Sequence, residues 1–189
     1  TTEIYTLSLH DALPIYRVDD ARDAQSDAQE EFKSALQRLD ELLKFDGGEL
    51  EKRYQALNDD YERSKAAAER VNSRIKAVDN VAQALFDEWQ DELSLYSNAS
   101  MRSESERSLR ETERHYKSLL QSMERAAGTM EPVLEKLHDN VLYLKHNLNA
   151  KAIDAIRGEY RVLRADVEVL IREMEAAIEA SNAFIDAMR

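Results

Sequence analysis

The sequence predicts an all-α fold: an elongated antiparallel bundle of long helices, a coiled coil of four helices running up-down-up-down. Three observations carry this. Apolar residues recur at alternating steps of three and four over most of the chain. Helix breakers are scarce, with four glycines and two prolines in 189 residues. Short clusters of turn and capping residues divide the apolar rows into four lengths, and short connections make neighbouring helices antiparallel.

The opening residues stand apart. Residues 1–15, TTEIYTLSLHDALPI, read as the in-frame translation of a short-read sequencing adapter. They are treated as a non-native segment and kept out of the fold reading, as any fusion scar is. A single helical-bundle domain is expected over 16–189, with helices near 16–45, 49–96, 101–147 and 150–188. A native start, with any signal or lipid anchor, is expected to have stood where the adapter-derived residues now stand.

The first helix carries Val18, Ala21, Gln25, Ala28, Phe32, Ala35, Leu39 and Leu42 on one row. The second carries Leu50, Tyr54, Leu57, Tyr61, Ser64, Ala68, Val71, Ile75, Val78, Ala82, Leu85 and Trp89. The third runs from Leu109 through Tyr116, Met123, Met130 and Leu137, then slips by one residue to Val141, Leu144 and Leu148. The fourth runs from Ile153 through Leu163, Leu170, Ala177 and Phe184 to Met188. A 3-4 repeat kept this long is the seam of a left-handed supercoil. Leu36, Leu43, Phe86, Leu120, Leu134, Ile171, Ile178 and Ile185 flank the seams, and the wider stripe suits a bundle rather than a two-stranded coil.

The turns have recognisable chemistry. In Phe45-Asp46-Gly47-Gly48-Glu49, glycine supplies positive φ and Asp46 with Glu49 forms a capping pair. Tyr96-Ser97-Asn98-Ala99-Ser100 is rich in capping residues. In His146-Asn147-Leu148-Asn149-Ala150, Asn149 is the expected N-cap and Asn147 is expected in the left-handed conformation. Pro132 removes the helix bond to the Gly128 carbonyl, so the third helix is expected to kink between them, with a full break as the alternative. The first and third turns then share one end of the bundle. The second shares the other end with both termini.

Charge narrows the function. The chain carries 26 Lys and Arg against 38 Asp and Glu, net −12. Glu3 and Asp11 belong to the adapter segment, so the remainder is two charges less acidic, net −10. An acidic chain does not fit a nucleic-acid partner, which requires clustered basic residues. Nor does it fit an electrostatic membrane binder. The arginines of 102–125 alternate with Glu104, Glu106, Glu111, Glu113 and Glu124, as on a solvated helix face. No apolar run is long enough to span a bilayer, so membrane attachment is expected only through a lost N-terminal anchor. The absence of cysteine rules out disulfides and thiolate metal sites.

No catalytic, cofactor-binding or metal site is expected. There is no glycine-rich phosphate loop and no nucleophile motif. Di-metal bundles use two Glu-x-x-His pairs; here Glu135 and His138 form one. His115, with Glu111 four residues before it, reads as a surface pair. Two places suit a partner. One is the tip made by Phe45, Asp46, Gly47, Gly48, His146, Asn147 and Asn149. The other is an aromatic docking patch of Phe86, Trp89 and Tyr96, whose bland reading is a cap on the core.

At these turns the segments VDDARDAQSDAQEEFKSAL, FDGGELEKRY, LFDEWQDELSLYSNASMR and VLYLKHNLNAKAI resemble the domain of unknown function 2959 family, from Tyr16 to the C-terminus. Its members are bacterial helical proteins, many with a lipoprotein-type N-terminal signal. The resemblance implies a periplasmic, lipid-anchored place in the envelope and carries no catalytic residue. The expected role is a non-catalytic structural or protein-interaction bundle of the bacterial cell envelope, with an unidentified protein partner. A homodimer is compatible with the polar seam positions. The alternatives are a membrane-surface remodelling bundle, a cytosolic coiled-coil scaffold and, more remotely, a metal-dependent bundle enzyme.

Overall fold

A computed structural model of the chain describes residues 2–44 and 48–188, with side chains from Pro14 onward. Five helices follow one another: α1 (Thr2–Leu43), α2 (Leu50–Glu92), α3 (Ala99–Gly128), α4 (Met130–His146) and α5 (Ala150–Met188). A short 3-10 turn, Leu93–Leu95, closes α2. No strand forms among the described residues. The end-to-end pair α3 and α4 acts as one long helix, and the result is a four-membered antiparallel bundle. Around it, α1 lies between α2 and α5, and α3–α4 lies between the same two helices on the opposite side. At the helical rise, the 43 residues of α2 span about 65 Å.

The apolar rows become the core. Phe32, Leu39 and Leu42 of α1, Leu57 of α2, Leu119 and Met123 of α3, Leu137 and Leu144 of α4, and Leu163 and Leu170 of α5 are fully buried. Each such side chain contributes about 1.5–3 kcal/mol relative to exposure. The expected slip in the third row is real, since Leu137, Val141 and Leu144 are all buried. The backbones of α1 and α2 approach most extensively. Both helices bury small residues, Ala21, Ala24, Ala28 and Ala35 on α1 and Ser64, Ala67 and Ala68 on α2, and small side chains let helices lie close.

Several boundaries differ from the sequence expectation. The helix α1 runs on through Pro14 into the segment read as adapter. The third helix is interrupted at one residue, Thr129, whose φ −81° and ψ −15° remain right-handed helical. Its hydroxyl donates to the Ala126 carbonyl at 2.6 Å, and its amide bonds the same carbonyl at 3.2 Å. Pro132 therefore falls in the first turn of α4, where an amide has no partner within the helix to lose. Asn147 is not left-handed: its φ is −138° and its ψ 53°. Among the described residues the left-handed one is Glu49, φ 73° and ψ 22°, whose side chain makes no cap. Asp46, its expected capping partner, lies outside the described residues, as do Phe45 and Gly47.

Candidate functional site

The tip is built where α1 ends, α2 begins and α4 turns into α5. The end of α1 leaves unpaired carbonyls, as any helix end does. Arg157, two turns into α5, crosses to donate from Nη2 to the Leu43 carbonyl at 3.1 Å. The end of α1 is thereby joined to α5 at one end of the bundle. Behind them Asp40 accepts from Lys44 and from Tyr160. The Lys44 hydrogen bond holds the Asp40 carboxyl below its ordinary range, against the opposing effect of burial. Burial, and then the bond to Asp40, pushes the Tyr160 hydroxyl up.

On the other side of the tip, Asn149 accepts from the Ala152 amide at 3.0 Å, the expected N-cap of α5. Asn147 donates from Nδ2 to the Tyr143 carbonyl at 2.9 Å and so closes α4. Lys145 and His146 occupy the last turn of α4, where positive charge complements the helix dipole. Gly48 and His146 are exposed. Two grooves run down from this end. One, about 300 Å³, lies between α1 and α2 and is lined by Arg38, Glu41, Glu49 and Lys52. The other, about 500 Å³, lies between α4 and α5 and is lined by Lys136, Asp139, Tyr143, Ala155 and Glu159.

The three aromatic residues at the opposite end have different surroundings. Phe86 is buried and meets the Tyr116 ring edge-on at 5.5 Å; Tyr116 in turn meets Phe184 at 6.5 Å. Trp89 is half-buried and donates from Nε1 to Ser105 Oγ at 2.9 Å, tying α2 to α3. Tyr96 sits in the turn and is exposed. Asn98 caps α3 by accepting from the amides of Ser100 and Met101 at 2.9 and 3.2 Å. The Tyr116 hydroxyl donates to Asp79 at 2.8 Å. Burial, and then that carboxylate, raises it far above an ordinary tyrosine.

Of the histidines, His138 lies 5.6 Å from the Tyr61 ring between centroids. The anticipated pair between His115 and Glu111 does not form; His115 is exposed. Among the described residues no three His, Cys, Asp or Glu side chains are grouped to hold a metal ion. No described helix is long and apolar enough to cross a membrane.

The profile of a family described as protein of unknown function (DUF2959) matches residues 7–188. The chain belongs to this family. No curated protein matches it, and no solved structure does. The DUF2959 match covers every helix of the bundle and begins nine residues ahead of Tyr16, inside the segment read as adapter.

The most developed polar cluster of this DUF2959 chain escaped the sequence reading. Asp60 on α2 is 2% exposed. It accepts from Ser34 Oγ of α1 at 2.5 Å and from Arg63, and Arg38 Nε lies 3.6 Å away. Arg63 also reaches Glu31 at 3.0 Å. The helix carries two overlapping 3-4 rows, and Leu57, Asp60, Ser64, Ala67 and Val71 form the second. Reading that row alongside the first would have placed Asp60 inside. The arginines satisfy the carboxylate and cross-link two helices, which is a structural role.

Proposed function

We propose that the chain is a non-catalytic structural or protein-interaction bundle of the bacterial cell envelope, docking a protein partner at its two-turn tip. One observation carries the reading: the Arg157 bond to the Leu43 carbonyl ties the end of α1 to α5 beside the third turn. Helix ends tied in this way are placed before a partner arrives, which lowers the cost of binding. The exposed Gly48 and His146 are at that end, and flanking grooves offer polar contacts on either side. Envelope location is supported by the resemblance of the sequence to lipoprotein-like relatives.

Cross-linking in envelope extracts tests the reading. Wild-type chain is expected to capture a protein that His146→Asp loses while the helical circular dichroism signal stays the same. Equal capture by both would remove the tip from consideration.

A second reading, contact with a lipid surface, is favoured by the other end. Residues 93–101, LSLYSNASM, carry no charge in a chain that is 34% charged. Leu95 and Met101 there are 79% and 58% exposed. Co-sedimentation with zwitterionic vesicles, abolished in Leu95→Asp, is the result this reading expects.

A further inference from the structure

The groove between α4 and α5 runs down from the tip, and its lining offers acceptors and negative charge. Asn140 of α4 is 6% exposed and donates from Nδ2 to the Lys136 carbonyl at 2.7 Å. A carbonyl only accepts, so that bond fixes which way the amide points and turns Oδ1 away from it. Among the described residues Oδ1 accepts from no donor. It is not sealed in the core as the Gln25 amide is; it opens into the groove that Asn140 lines. Asp139 of α4 and Glu159 of α5 are exposed at the same groove. Their carboxylates make no ion pair or hydrogen bond with other described residues. The one cation in the lining, Lys136, is already committed to Asp166. Tyr143, 43% exposed, adds an aromatic ring, and Ala155 with Ile156 adds apolar surface.

We propose that this groove seats an arginine side chain of the protein partner. The inference rests on the tip reading above and names the chemistry of the partner there. A guanidinium has five donors and no acceptor, which matches two free carboxylates and a buried amide oxygen that lacks a donor. Its plane stacks on an aromatic ring such as Tyr143, which an ammonium does less well. Its aliphatic stem is covered by Ala155 and Ile156. A metal ion fits less well, since among the described residues no three His, Cys, Asp or Glu side chains come together here.

The probe is a short acetylated peptide with one arginine between glycines, titrated into the full chain and followed by amide NMR. Saturable shifts are expected at the Asn140 side-chain amide and around Tyr143 and Glu159. D139N/E159Q should weaken binding about tenfold. D27N/E30Q removes the same charge from the exposed face of α1 and should leave binding unchanged. A citrulline peptide, which keeps the shape and loses the charge, should give no saturable shift, and a lysine peptide should bind several-fold more weakly. No saturable shift at millimolar arginine peptide would overturn the proposal. So would shifts spread along the acidic helices, or equal affinity for wild type and D139N/E159Q. Equal affinity for the lysine peptide would overturn the assignment to arginine. The peptide reads the groove without the natural partner, so its failure leaves the capture test of His146→Asp standing. Equal capture in that test, with the peptide still bound, would remove the tip alone.

Discussion

The α1–α2 pair packs most extensively, with small buried residues on both helices, and polar ties cross it: Ser34 to Asp60, Arg63 to Glu31. The α4–α5 pair is held differently. Its buried rows are large, with Leu137, Val141 and Leu144 facing a core shared with Leu163 and Leu170. Among the described residues its one cross-helix ion pair joins Lys136 to Asp166 at the surface. A groove of about 500 Å³ opens between the two helices, and Leu142 and Tyr143 stay 47% and 43% exposed. The α4 helix also starts at the Thr129 interruption. Small residues with buried polar ties make a closed, specified hairpin. Large residues with an open flank make a stable core that leaves surface to spare.

The comparison breaks most visibly at large core residues. Leu137→Ala should cost about 3 kcal/mol through lost burial and a residual cavity, measured as a lower urea midpoint with unchanged slope. A smaller loss is expected at the closed hairpin. Asp60→Ala should cost about 2 kcal/mol, because Ser34 loses its acceptor while the half-exposed arginines return to water. An Asp60→Ala variant as stable as wild type would show that the polar ties hold nothing.

The helix rows, the three turns and the Asn149 cap were legible because period and capping depend on local sequence. The second turn was expected as a capping cluster, and the structure names Asn98 as the residue that does it. Asp60 was not legible. Its burial is decided by which flank of α2 faces α1, and a single-row reading of one helix does not contain that. Nor was the left-handed backbone at Glu49, since glycines stand just before it and take that conformation at lower cost. Tyr96 stands apart because it lies past the helix end, whereas Phe86 and Trp89, three residues apart on α2, both reach α3. The role of Arg157 depends on a contact 114 residues away in sequence, which no local pattern reports.

The smallest expected effect sharpens the same contrast. Gln25 is fully buried in α1, and neither its Nε2 nor its Oε1 has a hydrogen-bond partner. Gln25→Leu should therefore raise stability, by about 1 kcal/mol. A loss of stability in thermal unfolding would mean that Gln25 has a polar partner in solution.

Native-state hydrogen exchange tests the central contrast most directly, because it reports opening free energy segment by segment. The account predicts that amides of α1 and α2 between 21 and 71 exchange only through global unfolding. Those of α4, Met130–His146, should exchange through a smaller opening of lower free energy. Protection in α4 equal to that of α1 and α2 would contradict the division of the bundle into a closed hairpin and an open flank.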